Sequence, residues 1–419
     1  MSFRPLPICW LTVALLISAP ARPNDPSALA LATFHERQAK LHALGDRTTS
    51  SKALTDAIFS ARFEPDERDC NLDSDNDTLP DCAETGTGVF IDATNTGSDA
   101  SNPDTDGDGL RDGDEVMGTI NGLDLPALGA NPLRSDLLIE YDWFDDTNDC
   151  GAHSHAPSAD VLSRVEALYA NAPVQNPDGS TGIHLIQDAG QGGAFGGGNR
   201  ISGFDANLPG AFDATWRAVK SANFASTRAG YFHYVLLAHR YNGSSDSSGY
   251  AEVVGDDALV TLNCAQSSDN AVRTLMHELG HNLGLHHGGF EACNDKPNYN
   301  SLMNYRYQFN GLDASCSARG DGVTDGYSRG TRATINEAAV DEALGVCGNR
   351  SIDWNTNGSV ESGIALNLNP AYSAECGGDL STIRDFDDWA NITLLGIRDA
   401  SGQLKSIKQE TACAGAPTK

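Results

Sequence analysis

His277-Glu278-Leu279-Gly280-His281-Asn282-Leu283-Gly284-Leu285-His286-His287 is the stretch that decides how this 419-residue chain is read. Val272, Leu275, Met276, Leu279 and Leu283 recur at helical spacing, and Ser268 or Asp269 stands where a cap would sit. On such a helix His277 and His281 lie one turn apart on one face. Two imidazoles so placed can each direct a nitrogen at one Zn²⁺ from about 2.0–2.1 Å. Glu278, beside the first of them, is suited to hold a water and carry its proton. Gly284 tolerates the positive φ that ends a helix and reverses the chain. Reversal there brings His287 back as a third ligand and leaves one coordination position open. His286 is the neighbouring alternative, but the offset favours His287. Four of the chain's 11 histidines fall within these eleven positions, which a core or surface role does not explain.

Working outward, Leu137–Tyr141 reads as a buried strand and Ala159–Tyr169 as an amphipathic helix. Strands follow at Gly182–Gln187, Tyr231–Ala238, Tyr250–Val254 and Ala258–Leu262, with a helix at Phe212–Ala222. Gln191–Asn199 is a glycine-rich connection without the Lys-Ser/Thr ending of a phosphate loop. This order predicts an α/β fold with a twisted, mostly parallel sheet and an active-site helix. Beyond Gly289 loops dominate, with short helical pieces such as Ile335–Leu344.

The pattern His277–His287 resembles the metzincin clan of zinc metalloproteases. Ser301-Leu302-Met303-Asn304-Tyr305, with its methionine 16 residues after His287, resembles the Met-turn of that clan. The resemblance covers Ser135–Tyr305. It implies a metzincin-type catalytic domain that hydrolyses peptide bonds with a zinc-bound water activated by Glu278. It also implies that Met303 floors the site and that Tyr305 stabilises the oxyanion, as the tyrosine there does in astacins and serralysins. Tyr250–Val254 would be the edge strand to which a protein or peptide substrate adds as a further strand. Gly288 departs from the Glu of astacins, the Pro of serralysins and the Asp of adamalysins. The chain therefore looks nearest to pappalysin-like and related bacterial secreted metalloproteases.

A second kind of site precedes this region. Asp73, Asp75, Asp77, Asp81 and Glu84 stand at positions 1, 3, 5, 9 and 12 of a loop. Asp104, Asp106, Asp108, Asp112 and Glu115 repeat them, with Leu79 and Leu110 at position 7 of each and Gly109 at position 6 of the second. Carboxylates at alternate positions match the six to eight oxygens that Ca²⁺ takes. Without two flanking helices these are not EF-hands; they resemble thrombospondin type 3 repeats, in which calcium replaces a core. Asp353, Asn355, Asn357 and Glu361 around Gly358 form a third candidate loop.

The formal charge of −29 argues against nucleic acid or an anionic membrane as partner. Arg4, the apolar run Leu6–Ser18 and Ala19-Pro20-Ala21 read as a signal peptide. That run falls short of the about 20 residues a membrane span needs. The expected location is extracellular. Nine cysteines follow, none in a CxxC pair, so disulfides are expected and one thiol is left over. The expected organisation is a signal peptide at 1–21, a helical segment and propeptide at 22–67, and calcium repeats at 68–120. A catalytic domain at 133–345 and its extension at 346–419 follow. Helices are expected at Ala28–Leu44 and Ser51–Phe63. The competing reading is a calcium-dependent adhesion module with a vestigial zinc site, against which the intact Glu278 speaks. A hydrolase acting on something other than protein is the third.

Overall fold

A computed structural model describes residues 70–243 and 247–394 and the backbone of residues 408–409. The expected signal peptide, propeptide and first two helices lie outside the described residues, as does Cys413.

The central sheet is built from β1 (Asp136–Trp143), β2 (His184–Asp188), β3 (Phe232–Ala238), β4 (Gly249–Val253) and β5 (Asp257–Thr261). Its order is β4-β5-β3-β1-β2; the last four are mutually parallel and β4 runs antiparallel to β5. The mixed α/β class with a parallel-rich sheet is as the sequence predicts. Every residue of β3 is buried, because both faces of the sheet are covered. Val235 and Leu237 point to one side with Leu275 and Met276, while Tyr234, Leu236 and Ala238 point to the other with Trp216 and Val219. The long helix that carries His277 is thus clamped onto one face of the sheet.

Three helices frame it: α1 (Ala159–Ala170), α2 (Ala214–Asn223) and α3 (Ser268–Asn282). Ser158, Asp213 and Ser267 cap them by accepting from Val161, Trp216 and Asn270 N–H groups. The cap of α3 is therefore Ser267 rather than Ser268 or Asp269. Asp269 instead pairs with Arg164 of α1 at 2.8 Å. Asn282, at the end of α3, donates to the carbonyls of Glu252 and Asp257 at 3.0 Å each, which ties the helix to β4 and β5.

Behind the sheet, buried Arg228 bridges Glu140 of β1 and Asp188 of β2. Burial raises the Glu140 carboxyl to about 7 even beside that guanidinium. The glycine-rich connection wraps this ion group. A Cβ on Gly197 would lie 2.0 Å from Arg228 Nη1, so a side chain there would displace the ion group.

Two details of the expected fold are corrected. Ile335–Leu344 is not helical but two short strands, Ile335–Asn336 and Val340–Asp341, around a turn of 3₁₀ helix. The buried Glu337 carboxylate accepts from Leu368 N at 2.6 Å and Ser381 N at 2.9 Å, and these long-range bonds override local helix preference. The edge β4 is also not open along its length: Lys408–Gln409 pairs with Glu252 and Val253. Cys70–Cys82, Cys150–Cys264, Cys293–Cys376 and Cys316–Cys347 are bonded. Among the described residues no helix is long and apolar enough to cross a membrane.

Candidate metal centre

α3 ends at Asn282, and Gly284 takes φ +96° in the reversal that follows. The chain returns so that nitrogens of His277, His281 and His287 all lie within 4.8 Å of one another. His281 Nε2 and His287 Nε2 are 3.2 Å apart, and the rings of His277 and His281 stand edge to face at 4.8 Å. It is His287 that completes the trio. His277 and His281 are fully buried, and His287 is 5% exposed.

The other ring nitrogens fix the tautomers. His277 Nδ1 donates to the Leu302 carbonyl and His281 Nδ1 to the Leu285 carbonyl, each at 2.7 Å. A carbonyl only accepts, so these Nδ1 atoms carry protons, which leaves each Nε2 as the nitrogen that can ligate a metal. Burial holds His287 well below the usual imidazole range, with His277 and then His286 adding to the effect, so its ring is neutral. Three buried imidazoles facing one point fit a divalent zinc ion by number and type of donor.

Glu278 is fully buried and lies against β4. A Cβ placed on Gly249 would stand 2.2 Å from its Oε1, so the glycine makes the space the carboxylate occupies. Gly249 escapes the sequence reading, since a lone glycine at a strand start carries no chemical signal. Met303 is buried beneath α3, where a Cβ on Gly280 would fall 2.3 Å from its sulfur. Tyr305 opens a short helix, Tyr305–Gln308, capped by Asn304. Its ring sits 4.4 Å from that of His287 and 5.8 Å from that of His277.

The acidic loops form a second group. Thr78, Gly109 and Gly358, at position 6 of the three loops, all take a left-handed φ of +88°, +98° and +86°. In each loop the position-1 aspartate accepts from the position-6 amide: Asp73 from Thr78, Asp104 from Gly109 and Asp353 from Gly358. Asp81 and Asp112, at position 9, accept from the backbone and hydroxyl of Ser74 and Thr105. The first two loops interlock, because Asp77, Glu84 and Asp112 converge and Gly113 N donates to Asp77 at 2.9 Å. Leu110 packs with Leu138, Ile186 and Phe232, so the loops rest on the sheet.

Several of these carboxylates lack a donor among the described residues: both oxygens of Asp75 and of Glu115, Glu84 Oε2 and Asp106 Oδ2. Burial, and then neighbouring carboxylates, push Glu84 to about 9 and Asp77 to about 7. Asp108 and Glu115 are raised well above the carboxylate range for the same two reasons. Clustered anions without counter-charge must take up protons or cations. The third loop differs: there the Asn355 and Asn357 amides donate to Glu361 at 3.1 and 2.6 Å.

No protein-family profile matches the sequence, and no curated protein matches it. Among solved structures, archaemetzincin from Methanopyrus kandleri is 15% identical, with a TM-score of 0.25 over 41% of this chain and 81% of that one.

Proposed function

We propose that this chain is an exported zinc-dependent endopeptidase of metzincin type, with His277, His281 and His287 as its zinc ligands. The observation that carries this reading is the buried trio of imidazoles, with the Glu278 carboxylate held beside Gly249 at the start of β4. Zinc, when bound, supplies a Lewis acid that polarises a peptide carbonyl and eases the ionisation of water. Glu278 accepts the proton of the attacking water and passes it to the leaving amine. The Leu302 and Leu285 carbonyls hold two of the rings in register. Met303 floors the site, and Tyr305, stacked near His277 and His287, donates its hydroxyl proton toward the developing oxyanion. A peptide would enter along β4 near Gly249, on the part of that edge not paired by Lys408–Gln409.

The loops at 68–120 are calcium sites in this reading, with Asp73, Asp75, Asp77, Asp81 and Glu84 in the first. Asp104, Asp106, Asp108, Asp112 and Glu115 serve the second. Calcium would supply the missing counter-charge beneath β1 and β2. The catalytic domain spans 133–345 with its extension at 346–419, and the signal peptide and propeptide precede the loops. Disulfides agree with an oxidising compartment.

A peptide library incubated with the full chain, with zinc removed by chelator and then restored, tests the reading. Cleavage that stops with chelation and returns with zinc supports it. A library left intact in the presence of zinc and calcium contradicts it.

A further inference from the structure

A second group of histidines lies away from the first. After β1 the chain makes a two-residue ladder, Asp145–Asp146 against His153–Ser154, whose tip carries Cys150. Cys150 is bonded to Cys264, and His239 follows directly on the last residue of β3. This brings Asp146, His153, His155 and His239 together with donor atoms within 4.8 Å of one another. His155 and His239 are buried.

The hydrogen bonds sort these residues into ligands and supports. His153 Nδ1 donates to the Gly151 carbonyl at 2.7 Å, so its Nε2 keeps a lone pair. That Nε2 lies 3.2 Å from His239 Nδ1 and 3.5 Å from Asp146 Oδ1, and His239 Nδ1 lies 3.4 Å from Asp146 Oδ2. His239 Nε2 is buried without a hydrogen-bond partner among the described residues, and it faces the Asp149 carboxylate at 3.8 Å. With its proton on that side, toward the anion, His239 presents a second lone pair at Nδ1. Two lone pairs and a carboxylate then converge on one point, which a cation resolves. Donors set tetrahedrally at about 2.0–2.1 Å from an ion are separated by about 3.3 Å. The three observed separations fall close to that.

His155 plays another part. Its Nδ1 accepts from Gln266 Nε2 at 2.9 Å, and the same amide donates to Asn263 O at 2.8 Å. His155 Nε2 therefore carries the proton and donates to Asp146 Oδ2 at 2.8 Å. It orients the carboxylate, as supports of metal-bound carboxylates do. The Cys150–Cys264 bond joins the loop that bears His153 to the segment that bears Gln266.

We propose that Asp146, His153 and His239 hold a second divalent transition-metal ion, zinc by the chemistry of the donors, with His155 as the positioning residue. The ion fastens the loop after β1 to the end of β3. Two imidazoles and a carboxylate are borderline donors that suit Zn²⁺ rather than Ca²⁺ or Mg²⁺. The site does not depend on the proposed peptidase activity.

Equilibrium dialysis of the full chain against Co²⁺ as a zinc probe, with Ca²⁺ in excess throughout, tests it. Wild type should take two equivalents of Co²⁺, and His239→Asn should take one. A His277→Ala/His281→Ala variant should still take one, lost when His153→Ala and His239→Asn are added. His155→Ala should weaken this ion by roughly 10–100-fold. Equal stoichiometry in wild type and His239→Asn overturns the proposal. So does retention of the ion after His153→Ala and His239→Asn.

Discussion

His277 Nδ1 donates to the carbonyl oxygen of Leu302 at 2.7 Å, which joins the first candidate ligand to the turn that carries Met303. Neither the helix nor the turn alone sets the ring: the turn's backbone fixes its tautomer and its rotation. Met303 sits next along the chain and packs under Gly280, so helix and turn are held in contact at two adjacent points.

Gly280→Ala should therefore act on the metal through the turn. Its Cβ would lie 2.3 Å from Met303 Sδ and 3.1 Å from the Tyr327 hydroxyl, so the buried Met303 side chain must shift and press on its turn. The expected cost is about 1–3 kcal/mol of stability, as for other overpacked interiors. Zinc affinity should fall with it by roughly 10-fold or more. Thermal unfolding and zinc titration of the variant check both.

Gly249→Ala should separate metal from chemistry. The added methyl meets Glu278 Oε1 at 2.2 Å, so the carboxylate must move while His277 and His281 keep their carbonyl partners. Peptide turnover should drop with zinc content unchanged. Equal turnover in both proteins would mean that Glu278 has no fixed position to lose.

Arg228→Met should destabilise the fold by about 3–5 kcal/mol, because it leaves Glu140 and Asp188 buried without their cation. Denaturant unfolding measures it, and a loss under 1 kcal/mol would show that the ion group is not a support of the sheet.

Calcium binding should release protons at pH 7. In the calcium-free chain Glu84, raised to about 9, holds its proton there, and Asp77 and Asp112, each raised to about 7, are about half protonated. These folded-state values lie above the unfolded ones of about 4, so the calcium-free fold loses stability as pH rises from about 4 to about 9. Calcium removes that loss, and its affinity should rise across the same window. Calorimetry in buffers of different ionisation heat counts the protons, and the absence of release would contradict the assignment of Glu84.

Much of this was legible in the residues. The offsets His277, His281, Gly284 and His287 depend only on helix pitch and one reversal, so spacing suffices to place them. The strands were equally readable, because parallel strands buried on both faces are runs of apolar residues such as Phe232–Ala238. What escaped was set by partners distant in sequence. Glu337 draws Ile335–Asp341 out of a helix through Leu368 and Ser381. Gly249 matters only because Glu278 lies against it. The cluster of Asp146, His153 and His239 needs the parallel pairing of β1 with β3, which brings the ends of those strands together.

The most direct measurement is on Glu278→Ala, purified with its metal counted and assayed on casein alongside wild type. The account predicts that the variant keeps its zinc and loses cleavage by roughly 10²–10⁴-fold. A zinc-loaded variant that digests casein as wild type does would contradict the role of Glu278 and the peptidase mechanism built on it.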